Sequence, residues 1–124
     1  MKILIVDDIA INRFILKEIV KKLGHEYFES ENGLKAYNCL IEHDIDLIFM
    51  DIEMPVMNGI ETTHKIRTSL SEPKRKVLIY ALTAYYPSLL NEEIDLTDFD
   101  GVISKPYSED KIKNLLNRLL RSKS

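Results

Sequence analysis

One stretch constrains the fold of this chain more than any other, the run Leu47-Ile48-Phe49-Met50-Asp51. Four consecutive apolar residues end in one carboxylate, and the turn-forming residues Pro55, Asn58 and Gly59 follow within eight positions. A continuous apolar run bounded by turn residues is typical of a strand buried on both faces of a parallel sheet. Asp51, the last residue of that strand, is therefore expected at the carboxyl edge of the sheet, where α/β proteins place their ligands.

The rest of the chain alternates between short apolar runs and longer amphipathic segments. Strands are expected at residues 3–6, 26–29, 47–51, 77–82 and 101–104. Helices are expected at residues 11–23, 34–41, 60–70 and about 87–96, and from Ser108 onward. This alternation predicts an α/β fold in which helices cover both faces of a five-stranded parallel sheet. Right-handed crossovers and the polar ends of the second strand favour the order 2-1-3-4-5, as in flavodoxin-like folds.

Two of these helices carry a clear apolar stripe. In the first, Ile11, Ile15 and Ile19 recur every four positions, and Phe14 and Leu23 widen the stripe. In the last, the apolar positions follow the spacing i, i+3, i+4, i+7 and i+8: Ile112, Leu115, Leu116, Leu119 and Leu120. Such stripes are expected to face the core, and Ser108 is expected to cap the last helix at its amino end.

Composition narrows the class of protein. The chain has 124 residues, of which 45% are hydrophobic and 30% charged, so one domain over 1–124 is expected. Only residues 121–124 follow the last predicted helix, so no further domain that could carry an output is expected. A net charge of −3 argues against nucleic acid as a partner, and we interpret the basic cluster Lys74-Arg75-Lys76 as a solvated loop. No apolar run reaches the roughly 20 residues of a membrane span. Cys39 is the single cysteine, which excludes an intramolecular disulfide and fits the cytoplasm.

Polar side chains lie at or just after the ends of four strands of the predicted sheet, the first, third, fourth and fifth. Asp7 and Asp8 follow the first strand, Asp51 ends the third, Thr83 follows the fourth and Lys105 follows the fifth. The carboxyl ends of parallel strands lie side by side, so three carboxylates are expected to crowd together, an arrangement that a divalent cation makes tolerable. Oxygen ligands without a nearby His or Cys favour Mg²⁺ over zinc.

The same cluster has the groups that hold a phosphoryl. A lysine ammonium neutralises one phosphoryl oxygen, a threonine hydroxyl donates to another, and an aspartate can act as covalent acceptor. Taken singly, each residue has a plainer interpretation: Asp7 or Asp8 as a turn former or helix cap, and Lys105 as a surface residue. Their joint occurrence at the ends of adjacent strands favours the functional interpretation.

These motifs together resemble the receiver domain of response regulators in two-component signalling. The resemblance extends over essentially the whole chain and is carried by Val6-Asp7-Asp8, residues 50–59, Ala81-Leu82-Thr83-Ala84 and Ser104-Lys105-Pro106. The wording of the central motif, and Ile11-Asn12-Arg13 after the acidic pair, are more similar to receivers of hybrid kinases and phosphorelays. The resemblance implies a signalling phosphoacceptor that relays a phosphoryl or acts by protein contact, rather than a turnover enzyme.

The resemblance also implies a role for each site residue. Asp51 would take a phosphoryl from a phosphohistidine on a sensor histidine kinase or a His-containing phosphotransfer protein. Lys105 would bind the phosphoryl, and Thr83 would swing toward it. The bond from Lys105 to Pro106 would be cis.

A Mg²⁺ ion and the protein partners follow from the same resemblance. Asp8, Asp51 and the backbone carbonyl of Glu53 would hold Mg²⁺, with Asp7 contributing partly through water. The downstream partner would be another protein, and the chain would be a monomer or a weak, phosphorylation-dependent dimer.

One position departs from the family pattern. Three residues before the lysine, receiver domains carry a Tyr or Phe that couples to the threonine, whereas this chain has Val102. A valine side chain cannot make the swing of an aromatic ring. We therefore expect a weaker switch, or one that runs through Tyr80, Tyr107 or the loop before the predicted fourth helix.

Two other functions share part of this pattern. A Mg²⁺-dependent phosphohydrolase would use Asp51 as nucleophile, and Asp51-Ile52-Glu53 resembles the Asp-x-Asp pair of haloacid-dehalogenase-type phosphatases. Those enzymes carry the pair on their first strand and need a cap. A flavodoxin-type flavin carrier shares the strand order, but Asp7-Asp8 stands where Ser, Thr or Gly would bind its phosphate.

Overall fold

Alternating strands and helices make up the computed structural model, which describes residues 1–84 and 96–123. The strands are β1 (Lys2–Val6), β2 (Glu26–Ser30), β3 (Leu47–Asp51), β4 (Leu78–Thr83) and β5 (Gly101–Ser104). The helices in this part of the chain are α1 (Ala10–Lys22), α2 (Gly33–Glu42), α3 (Gly59–Ser69) and α4 (Glu109–Lys123), with a 3-10 turn at Lys74–Lys76. Most of the helix predicted at 87–96 lies outside the described residues.

The sheet is parallel throughout, and its order is β2-β1-β3-β4-β5, which confirms the predicted fold. All five residues of the central strand β3 are buried, as the continuous apolar run indicated. The register pairs Val6 with Met50, Asp51 with Leu82, and Thr83 with Ser104. Strands β1, β3, β4 and β5 therefore end at the same level, and the residues at or just beyond these ends share one edge of the sheet.

Helices pack on both faces of the sheet. Alternate strand residues such as Ile5 and Phe49 form one core cluster with buried residues of α1 and α4. Their neighbours, such as Leu4 and Ile48, form a second cluster with buried residues of α2 and α3. None of the helices described here combines the length and the apolar character that a membrane span needs.

The apolar stripe predicted for α1 is wrong on one side. Leu16, Ile19 and Val20 are the buried residues of this helix, whereas Ile11 and Ile15 are 59% and 46% exposed. Four residues advance a helix by about 40° more than one turn. Residues spaced four apart therefore lie progressively further around the helix. Here Ile11 and Ile15 lie on the solvent side, and only Ile19 reaches the core.

The basic cluster at 74–76 is not simply a solvated loop. The Nζ atom of Lys74 donates to the carbonyl oxygens of Leu40 (2.6 Å) and His43 (2.8 Å), at the end of α2. Lys74 thus satisfies carbonyls that a helix carboxyl terminus leaves without partners.

The final helix follows its predicted pattern closely. The Ser108 hydroxyl accepts from the Lys111 amide at 3.1 Å, which confirms the predicted cap. Four of the five stripe residues are buried, and only Leu120 is exposed, at 40%.

Candidate functional site

The predicted site residues lie along the carboxyl edge of the sheet. Asp51 and Thr83 are the last residues of β3 and β4, Asp7 follows β1, and Lys105 follows β5. Asp7, Thr83 and Asp51 are buried, with 1%, 2% and 5% of their surfaces exposed, whereas Asp8 is exposed. The strands therefore bring these side chains to one place while leaving Asp8 open to solvent.

Three carboxylates form the acidic part of the site. One oxygen each of Asp7, Asp8 and Asp51 lies within 4.8 Å of the others. The Lys105 ammonium lies 3.3 Å from Asp7 Oδ2 and 3.5 Å from Asp51 Oδ2. With all three acids ionised, this one ammonium leaves two negative charges uncompensated within the cluster.

This environment makes Asp51 an unusually weak acid. Burial, and secondarily the negative charge of Asp7, raise the pKa of Asp51 from 3.8 to about 6. The Glu53 amide, which donates to Asp51 Oδ1 at 3.1 Å, and Lys105 oppose this rise. A positive charge near Asp51 would therefore stabilise its ionised form.

Glycine at position 59 holds the start of α3 against the acidic strand end. A Cβ atom at Gly59 would collide with the carbonyl oxygen of Asp51 and lie 2.8 Å from the Cα atom of Ile52. Asn58 and Glu61 close a reciprocal capping box there, so α3 begins at this glycine. The sequence predicts a turn at Asn58-Gly59 just before the helix at 60–70, but the close approach of Gly59 to Asp51 depends on tertiary packing.

The segment after β5 aims the lysine. The Lys105 amide donates to the Thr83 carbonyl at 2.7 Å, and the bond from Lys105 to Pro106 is cis, as the resemblance implied. Tyr107 follows, and burial together with the charges of Asp7 and Asp51 raises the pKa of its hydroxyl to about 12. This hydroxyl donates to the Asn12 carbonyl at 3.4 Å, which links the lysine segment to α1.

Two predicted positions stand apart from the acidic cluster. The Glu53 side chain is exposed, and this residue contacts the site through its amide, which donates to Asp51 Oδ1. Val102 is half-buried on β5 and packs in a small cluster with Ile52, Ala81 and Phe99. Position 102 therefore belongs to the packing behind the site rather than to the site itself.

Exposed apolar residues lie beside the site and were missed by sequence reasoning. Four of them lie at the start of α1, and we call them the α1 patch: Ile9, Ile11, Phe14 and Ile15. A groove of about 320 Å³ continues the patch to the lysine, lined by Asn12, Ile15, Ala84, Lys105, Pro106 and Tyr107. The sequence does carry a signal for these residues, since α1 has more apolar residues than one buried face needs.

The sequence model of the response regulator receiver domain matches residues 3–117 of this chain. The chain belongs to the response regulator receiver domain family. Receiver domains are signalling phosphoacceptors, so the family supports a phosphoacceptor response regulator and does not favour the phosphohydrolase.

Relatives of this receiver domain include both whole proteins and parts of kinases. It is 34% identical to the chemotaxis protein CheY of Bacillus subtilis over 96% of this chain and 97% of CheY. It is 31% identical to Histidine kinase 3 of Arabidopsis thaliana over 99% of this chain. The receiver domain spans only 14% of the length of that kinase.

Solved structures give the same picture. The receiver domain of sensor histidine kinase PA1611 from Pseudomonas aeruginosa, with a magnesium ion in its active site cleft, superposes with a TM-score of 0.83 at 27% identity, covering 94% of each chain. The receiver domain of Ssk1 from Saccharomyces cerevisiae, in complex with the histidine phosphotransfer protein Ypd1, gives a TM-score of 0.81 at 29% identity, covering 94% of this chain and 86% of that one.

Proposed function

We propose that residues 1–124 act as one receiver unit that accepts a phosphoryl on Asp51. The observation that carries the proposal is a buried carboxylate, with its Oδ2 atom 3.5 Å from an ammonium, at the edge where three acids converge. The cytoplasm remains the proposed location, as the single cysteine suggested.

In the proposed reaction, an oxygen of Asp51 attacks the phosphorus of a phosphohistidine. The new O–P bond forms as the P–N bond breaks, and the imidazole leaves with the electron pair and takes up a proton. Lys105 neutralises charge on the transferred group, and Thr83 donates to one of its oxygens. Hydrolysis of the aspartyl phosphate by water returns Asp51 and inorganic phosphate. We expect this hydrolysis to be slow, so that the chain works as a signal rather than as an enzyme.

The donor set fits Mg²⁺. Three carboxylates with two uncompensated charges suit a hard divalent cation that prefers oxygen ligands. Asp7, Asp8, Asp51 and the Glu53 carbonyl would hold the ion, which would neutralise charge on the phosphoryl oxygens. The magnesium ion in the cleft of the PA1611 receiver domain supports this assignment.

Phosphorylation by acetyl phosphate tests the acceptor. In the presence of Mg²⁺ the wild type should take up one phosphoryl group, as seen by intact-protein mass spectrometry, and Asp51→Asn should take up none. Asp44→Asn, which changes an exposed acid outside the cluster, serves as the control and should be labelled as the wild type is. Labelling of Asp51→Asn at the wild-type level would refute the assignment, and turnover of p-nitrophenyl phosphate would favour the phosphohydrolase.

We further propose that the phosphodonor docks on the α1 patch. The donor must place a histidine beside Asp51, and this apolar surface together with its groove adjoins Lys105. Exposed apolar patches beside a polar site mark protein interaction surfaces. The Ssk1 receiver in complex with Ypd1 supports a phosphotransfer protein or a histidine kinase as the partner.

Two donors of different size separate docking from chemistry. Phe14→Ser should slow phosphoryl transfer from phosphorylated Ypd1 about tenfold, because truncating a central interface aromatic costs on the order of 1–2 kcal/mol. Labelling by acetyl phosphate should stay unchanged. Ile41→Ser is the matched control, since Ile41 on α2 is 47% exposed and Phe14 is 49% exposed. Equal transfer rates for Phe14→Ser and Ile41→Ser would contradict the docking proposal.

A further inference from the structure

Arg13 makes contacts that the proposed function has not yet used. It lies near the start of α1, and 17% of its side chain is exposed. Its Nη1 atom donates to the backbone carbonyl of Asp7 at 2.7 Å, and its Nε atom donates to Glu29 Oε1 at 3.3 Å. One arginine therefore ties α1 to the end of β1 and to the edge strand β2.

The bond to Asp7 fixes the peptide plane that carries Asp8. The carbonyl of Asp7 and the amide of Asp8 belong to one planar peptide unit, so orienting that carbonyl orients the start of Asp8. The Asp7 amide donates to the Ser30 carbonyl at 3.2 Å, which holds the other side of Asp7. Asp8 itself is exposed, so its position depends on how firmly the backbone before it is held.

Glu29 completes the arrangement by orienting the arginine. A guanidinium is a rigid fork of donors, and a carboxylate on one edge sets the direction of the others. Lys17, one turn further along α1, reaches the other oxygen of Glu29 at 4.0 Å, and of these two cations only Arg13 bonds to Asp7. The two cations on this helix face thus differ in the contact that bears on the acidic cluster.

We infer that Arg13 is a positioning residue for the cation site, holding Asp7 and Asp8 where they can share a divalent ion. The inference rests on the proposed Mg²⁺ site at Asp7, Asp8 and Asp51. Glu29 acts through Arg13 and not on the ion.

Two roles are possible for Arg13, as a positive charge or as a positioning group, and they predict opposite effects of its removal on the affinity for the cation. The positive guanidinium repels a cation bound nearby, so a purely electrostatic role means that its removal tightens binding of the cation. A positioning role means that removal weakens binding, because the Asp7–Asp8 peptide loses its anchor. Groups that orient metal ligands without touching the metal change affinity by about 10- to 100-fold.

Mn²⁺ is the probe, because free Mn²⁺ is counted directly by its electron paramagnetic resonance signal. Arg13→Gln should bind Mn²⁺ about tenfold more weakly than the wild type. Arg13→Lys, which keeps the charge but loses the fork, should also bind more weakly, and so should Glu29→Gln. Lys17→Gln, the matched control on the same helix, should bind as the wild type does or slightly more tightly.

Thermal unfolding of each variant in EDTA shows whether its fold is intact, and Arg13→Lys gives the test if Arg13→Gln does not fold. Unchanged or tighter Mn²⁺ binding by both Arg13 variants would overturn the inference while leaving the metal site in place. Failure of the wild type to bind Mn²⁺ would overturn the proposed metal site, and the role of Arg13 with it.

Discussion

At the scale of single residues, the ionised form of Asp51 lowers the stability of the folded chain. Its pKa is about 6 in the folded chain against 3.8 for an ordinary aspartate. The folded state therefore binds the proton more tightly than the unfolded state does, so the free energy of unfolding from this group falls as pH rises from about 4 to about 6. Above pH 6 the ionised carboxylate is a net cost to the metal-free fold.

Asp51→Asn should remove this cost. In EDTA we expect the variant to be more stable than the wild type by about 2 kcal/mol at pH 7, and by much less at pH 4, where Asp51 is protonated in the folded state and about half protonated in the unfolded state. Urea unfolding between pH 4 and 7 measures the difference. Asp44→Asn should not reproduce the gain, and a difference for Asp51→Asn that does not change with pH would contradict the account.

Val56 also lowers the stability of the fold, in this case through its backbone conformation. Its φ of 70° lies in the left-handed region, which a β-branched side chain rarely adopts, and its side chain is 78% exposed. Val56→Asn should stabilise the fold by about 1 kcal/mol, because asparagine tolerates this region and no packing is lost. Thermal unfolding should show a rise of about 4 °C, with a smaller rise for Val56→Ala. A fall in the unfolding temperature of Val56→Asn would show that the turn is not strained.

At the scale of elements, one arginine joins α3 to the starts of two strands. Arg67 donates to the Asp98 carbonyl at 2.9 Å, to the Arg75 and Val77 carbonyls at 2.8 and 2.7 Å, and to Asp100 Oδ2 at 3.1 Å. Asp100 Oδ2 in turn accepts from the amide of Ile79 on β4. These bonds hold the segments that lead into β4 and β5 against α3.

Arg67→Met should therefore destabilise the fold by about 3 kcal/mol, because several carbonyls and a carboxylate lose a charged donor at once. Arg75→Met is the control, since its side chain is 43% exposed and pairs with Glu72 on the surface, and it should cost less than about 1 kcal/mol. Urea unfolding of the two variants gives the comparison. Equal losses would mean that the Arg67 contacts are replaced by water at no cost.

Local pattern predicted the elements and the strand order, but not the contacts between distant elements. The apolar run before Asp51 and the spacing around Leu116 each report local burial, and both predictions agree with the fold. The bond from Arg67 to Asp98 spans 31 residues of sequence and the bond from Lys74 to Leu40 spans 34, and no periodicity signals them. The stripe on α1 failed because its extra apolar residues face solvent.

The site was predictable because parallel strands align their ends. Asp51 and Thr83 end β3 and β4, and Asp7 and Lys105 follow β1 and β5, so topology alone brings them together. The raised pKa of Asp51 and the anchoring of Asp7 by Arg13 were not predictable, since both depend on distances that only the folded chain defines.

At the scale of the whole molecule, Val102 bears on how modification at one edge reaches the surface. It is half-buried among aliphatic and aromatic side chains and has no ring that could move outward. With Mg²⁺ and beryllofluoride, a mimic of the phosphoryl, we expect NMR shifts to concentrate near Asp51 and Lys105 and to stay small along α4. Val102→Tyr, which restores the family pattern, should extend the shifts to α4. Large shifts along α4 in the wild type would contradict this expectation.

The uncompensated negative charge of the acidic cluster also makes the stability of the folded chain depend on whether a cation is bound. A cation that binds only the folded chain, at ten times its dissociation constant, adds about 1.4 kcal/mol to the free energy of unfolding. Proteases act on chains that open transiently, so the metal-free form is the more easily degraded one. The lifetime of the protein should then rise with the occupancy of the cation site.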